Sequence, residues 1–167
     1  ARAECLGSAP RLSGACFSRP TALPALAGGS GPCPPRHAYP GHPLACAAAL
    51  AVQKVIRRDD LLANVRRQGA HLARRLQERF GNHPFVGNLR GRGLFQGLEI
   101  VADRGTRNPF DPQRKLHART KREAMARGLM VYPMGGTVDG TLGDHVLLAP
   151  PFRVDEGQVA AIGERLG

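Results

Sequence analysis

From residue 43 onward apolar and polar side chains recur with recognisable periods; before it they do not. The run PLACAAALAVQKVIR (43–57) is nearly continuous in small and aliphatic residues. Pro43 suits a first helical turn, where the N–H it lacks would have found no partner, so a helix is predicted over 43–57. Asp59 and Asp60 can cap a second helix, in which Leu62, Val65, Leu72, Leu76 and Phe80 share a face and Gly81 is the expected stop. FVGNLRGRGLFQGLEIV (85–101) reads as two strands around a glycine-rich bend, with Leu94, Leu98 and Ile100 as strand interior. DPQRKLHARTKREAMARG (111–128) returns to helix, capped by Asp111, begun by Pro112 and stopped by Gly128. Strands over 129–132 and 145–148 follow, joined by the loop PMGGTVDGTLGD. Asp155 and Gln158 have the spacing of a capping box for a last helix, with Val159, Ile162 and Leu166 facing inward. The order ααββαββα describes an α/β or α+β layer, helices packed on a small sheet.

Residues 1–40 differ. Seven prolines between Pro10 and Pro40 forbid a long helix there, and Glu4 is the only acid. The composition therefore divides the chain into a Pro/Gly-rich segment, 1–40, and a structured domain, 41–167.

Charge changes the picture less than its size suggests. The formal net charge is +11, and the 24 basic residues include only three lysines, Lys54, Lys115 and Lys121. Arginine excess beside abundant Ala, Gly and Pro fits a GC-rich codon bias. The basic residues are scattered, and no aromatic-rich strand accompanies them for base stacking, which argues against a nucleic-acid partner. Cysteines at 5, 16, 33 and 46 show no metal-knuckle or redox spacing. His42 has no carboxylate or Cys spaced to join it, so no metal site is expected. The glycine loop 135–143 lacks the Lys-Ser/Thr ending of a nucleotide loop. The apolar run over 44–52 is too short to span a bilayer, and no leader pattern is visible, so the expected location is the cytoplasm.

Four segments in order, GHPLACAAALAV, LRGRGLFQGLEIV, ARGLMVYPMGG and GDHVLLAPPF, closely resemble the C-terminal part of class III (omega-type) aminotransferases. The resemblance covers roughly 37–167. It implies the small C-terminal domain of a fold-type I, pyridoxal-phosphate-dependent transferase, with 1–40 as a poorly matched remnant of the large-domain end. It also implies a homodimer and amino-group transfer between an amine or amino acid and a keto acid. In the family a lysine amine condenses with the cofactor aldehyde, while an acid at the pyridine nitrogen and a phosphate cup lie further upstream.

Departures from the family pattern carry as much meaning as the match. Laid against the lysine motif without a gap, AECLGSAPRLSGA (3–15) places Glu4 where the Schiff-base lysine belongs. A carboxylate cannot condense with an aldehyde, so no catalytic residue is assigned. Ala38 stands where the family often has a Thr reaching the phosphate of the neighbouring subunit; the backbone N–H groups of His37 and Ala38 are the remaining cofactor-binding candidates. Leu147 and Leu148 stand where one subgroup has an Arg for the substrate carboxylate, just before Ala149-Pro150-Pro151. The three lysines sit in charged helical stretches, where solvation suppresses the free amine. The expectation is an aminotransferase-like chain that is catalytically incompetent alone. The alternative is a non-catalytic binding or interaction module whose basic surface meets an acidic or nucleic-acid partner.

Overall fold

A computed structural model of the chain describes residues 4–8, 13–17 and 43–167. The chain divides into two compact units, Ala1–Asp59 and Asp60–Gly167. In the first, β1 (Glu4–Ser8) and β2 (Ser13–Phe17) pair antiparallel with Cys5 opposite Cys16 and Gly7 opposite Gly14, a pairing that the proline-rich composition did not announce. The alanine-rich helix α1 spans Pro43–Arg58, starts where predicted, and buries none of its residues.

The second unit begins with α2 (Leu61–Phe80), followed by β3 (Val86–Arg92) and β4 (Phe95–Ile100). Helix α3 (Leu116–Ala126), strands β5 (Tyr132–Gly135) and β6 (Asp144–Leu148) and helix α4 (Glu156–Leu166) complete it. The four strands form one antiparallel sheet in the order β3-β4-β6-β5. One side of the sheet and the three helices enclose a core. Leu72, Leu76 and Phe80 come from α2, Leu98, Val146 and Leu148 from the strands, Ala124 from α3 and Val159 from α4. Fully burying such an aliphatic side chain contributes about 1.5–3 kcal/mol.

The buried stripe of α2 differs from the predicted one at its start. Leu61 is buried while Leu62 is 53 % exposed. At about 100° per residue Leu61 lies about 20° from the line of the fully buried Leu72, whereas Leu62 lies about 80° from it. Gly69 on the same face lets α2 touch the β3–β4 turn: a Cβ there would come within 2.5 Å of the Gly93 backbone. Leu94 belongs to that turn rather than to a strand, yet is buried. Gln96, buried below the turn, donates from Nε2 to the Gly93 carbonyl at 2.7 Å.

Helix ends also differ. Asp60 is left-handed (φ 45°) and gives α2 no side-chain cap; the Asp59 carboxylate instead pairs with Arg58 at 2.7 Å. Gly81 keeps right-handed helical backbone (φ −57°), so it does not stop the helix by a left-handed turn. The stretch 111–128 is not one helix. Pro112–Arg114 form a single 3-10 turn over the Asp111 cap, Lys115 turns left-handed (φ 47°), and α3 starts afresh. Gly128 does end it, at φ 71°. The strand predicted over 129–132 is displaced to Tyr132–Gly135, and Pro133 is accommodated because β5 is an edge strand.

The capping box of α4 forms as predicted. Gln158 N donates to Asp155 Oδ1 at 2.8 Å, and Asp155 N to Gln158 Oε1 at 3.1 Å. At the far end of α4, Arg165 donates to the Gly128 carbonyl at 3.1 Å and Arg127 to the Gly167 carbonyl. Each of the last two helices thus has a terminal carbonyl capped by an arginine from the end of the other.

Candidate functional site

The side of the sheet away from the core carries the residues on which a functional reading turns. Register places Arg90, Gly97, Leu147 and Tyr132 in one row across all four strands. Arg92 and Phe95 lie on one flank, and Asn88, Glu99, His145 and Met134 on the other. Phe95 and Tyr132 are 57 % and 63 % exposed. No helix of the second unit covers this side, since the three helices pack on the other. Glycine at 97 opens the middle of the row: a Cβ there would stand 3.4 Å from Leu147 Cδ2.

The leucine pair before the proline step is resolved by this geometry. β6 alternates, with Asp144, Val146 and Leu148 buried and His145 and Leu147 half-buried. Leu148 belongs to the core, so only position 147 could offer a side chain to a ligand on the open face. Arg90 and Arg92 are exposed on the edge strand β3. Glu4 heads β1, its backbone opposite Phe17. His37 and Ala38 lie outside the described residues.

The lysines decide what cofactor chemistry these residues suit. Lys54, Lys115 and Lys121 are all exposed. A lysine that condenses with an aldehyde at neutral pH needs desolvation or a neighbouring cation to release its amine. None of the three is shielded from water, so these residues do not fit covalent capture of pyridoxal phosphate.

Two polar features escaped the sequence. His117, at the start of α3, donates from Nδ1 (2.7 Å) and from its backbone N–H (3.2 Å) to the buried Asp144 carboxylate. Asp144 therefore supplies the α3 cap that Lys115 cannot. The partners are 27 residues apart, and no local pattern links them. In the loop 136–143, Asp139 accepts from the N–H groups of Leu142 (2.7 Å) and Thr141 (2.9 Å). Those two donors, Leu142 first, hold its carboxyl below the ordinary carboxylate range. Thr137 Oγ1 lies 2.6 Å from His145 Nδ1, tying the loop back to the open face.

Comparison with known proteins gives one consistent result. Residues 22–167 match the sequence model of the aminotransferase class-III family. An aminotransferase of Schizosaccharomyces pombe is 48 % identical over 128 residues, 77 % of this chain and 28 % of that protein. An aminotransferase of Gibberella zeae is 42 % identical over 142 residues, 83 % of this chain and 27 % of its own length. Among solved structures, the (S)-enantioselective omega-transaminase of Thermomicrobium roseum superposes with a TM-score of 0.74 at 27 % identity, covering 92 % of this chain and 32 % of that one. The chain thus spans little more than a quarter of the length of the curated relatives it matches. Glu4 precedes the first residue of the family match.

Proposed function

Because this chain belongs to the class-III aminotransferase family, a pyridoxal-phosphate-dependent family, we propose that it is the C-terminal part of an enzyme transferring an amino group between an amine or amino acid and a keto acid. By itself it transfers none. The observation that carries the second statement is the exposure of all three lysines, joined by Glu4 at the position expected for the Schiff-base lysine. In a longer polypeptide the open side of the sheet, with Leu147 at its centre, would meet the part that holds the cofactor. Leu147 would place an apolar wall there instead of a cation for a substrate carboxylate. The backbone N–H groups of His37 and Ala38 are assigned to the cofactor phosphate of the second subunit in a cytoplasmic homodimer, since amide donors suit a phosphate without help from a hydroxyl.

The test is incubation of the purified chain with pyridoxal phosphate and a keto acid plus an amino donor. The expected outcome is no specific borohydride-trapped adduct and no turnover, for the wild type and for Glu4→Lys alike. A single-lysine adduct together with wild-type turnover would overturn the reading.

A further inference from the structure

A second feature of the fold lies away from the open side of the sheet. Gln158, Ala161, Ile162 and Arg165 recur at i, i+3, i+4 and i+7, so they form one stripe along α4 about 10 Å long. This stripe lines an open groove of about 310 Å³ together with Leu129, Val154 and the Pro150-Pro151 step. That volume is at the small end of ligand-sized clefts, roughly 300–1,000 Å³. Two polar side chains stand at its ends, and both present donors. Gln158 has its Oε1 taken by the Asp155 N–H, which leaves its amide hydrogens. Arg165 is held in place by one bond to the Gly128 carbonyl and keeps its other N–H groups. No Asp or Glu among the described residues forms an ion pair with Arg165. The C-terminus of α4 brings about half a negative charge to that end. Arg165 sets a full positive charge against it, while Arg127 is engaged by the Gly167 main-chain oxygen.

We propose that the groove along α4 binds a small amphipathic anion, a carboxylate on an unbranched hydrocarbon chain of about eight carbons, a length matched to two helical turns. The carboxylate takes the free N–H groups of Arg165, and the chain lies over Ala161 and Ile162 against the proline wall, which offers no N–H donor of its own. The proposal is independent of the aminotransferase reading, since it uses no residue of the open sheet face.

The test is titration of the full 167-residue chain with octanoate, octanol and octylamine, followed by amide and methyl NMR and by calorimetry. Octanoate is expected to saturate one site, with shifts confined to residues around Ala161 and Ile162. Octanol and octylamine should each bind about tenfold or more weakly, the loss expected when a charge-assisted hydrogen bond is removed. Arg165→Gln should reproduce the same loss for octanoate, and Ala161→Phe, which fills the groove, should abolish saturation. Arg90→Gln, on the sheet, should leave octanoate affinity unchanged. Equal affinity for octanol and octanoate by the wild-type chain would overturn the proposal, as would full affinity in both Arg165→Gln and Ala161→Phe. So would an equal loss in Arg90→Gln, which would mean general attraction to a basic surface.

Discussion

Leu147 and Leu148 are the same residue, one peptide apart, on opposite sides of one sheet. Leu148 is 3 % exposed and belongs to the core; Leu147 leans over Gly97 on the side that no helix of its unit covers. The difference teaches that hydrophobicity in this sequence has two uses. On the helix side it is spent on packing, with α2, α3 and α4 all contributing. On the open side, Phe95, Tyr132, Met134 and Leu147 stand together without a cover from their own unit, in a chain that represents little more than a quarter of its relatives. An apolar surface of this kind marks a contact made by something else.

The comparison can be broken most directly by truncating each leucine. Leu148→Ala is expected to destabilise by about 2–5 kcal/mol, as buried leucines do. Leu147→Ala should stay within about 1 kcal/mol, closer to the behaviour of surface changes. Denaturant midpoints on the two variants measure this, and equal losses would mean that the two faces are not different in kind.

Glycines sharpen the same contrast on a smaller scale. Gly69→Ala sets a methyl 2.5 Å from the Gly93 backbone, and neither backbone can yield easily, so a loss of about 1–3 kcal/mol is expected. That outweighs the gain of roughly 1 kcal/mol that alanine normally brings to a helix. Gly97→Ala meets the end of Leu147 and the Arg90 carbonyl oxygen, both at ordinary contact distance, and its thermal midpoint should move little or rise. A Gly69→Ala variant at least as stable as the wild type would show that α2 does not press on the turn as described.

Acid provides the smallest effect, confined to neither face. The Asp139 carboxyl is held below its ordinary value by the N–H groups of Leu142 and Thr141. A depressed carboxylate stabilises above its unfolded pKa and loses that contribution as pH falls through the folded one. Amide signals of Thr141 and Leu142 should therefore hold their positions down to ordinary carboxylate pH and shift only below it, while core methyl signals stay still. Asp139→Asn should remove that acid transition. Titration of those amides at the ordinary carboxylate pH would contradict the assignment.

Legibility in the sequence followed the range of the interaction. Local signals were sound: Pro43 opened α1, Gly128 closed α3, and Asp155 with Gln158 formed their box. Other local signals misled: Asp60 gave no cap, Gly81 no left-handed stop, and 111–128 broke into a 3-10 turn and a helix. Phase was also hard to read: Leu61 is buried where Leu62 was expected, and only the alternation along β6 decides that 147 rather than 148 faces outward. The cap of α3 was illegible, since Asp144 reaches it only after the chain has folded back through β5. Of the candidate site, the sequence named Leu147 without its orientation. Glu4 precedes the residues that match the family, and His37 and Ala38 lie outside the described ones.

The edges of the sheet have a consequence for how copies of this chain can meet. At one edge β5 carries Pro133, which takes a donor out of the ladder; at the other β3 carries Arg90 and Arg92. Proline and exposed charge are the usual means by which an edge refuses a further strand. Four strands is thus a closed number, and fibril-like growth along the hydrogen-bonding direction is blocked from both ends.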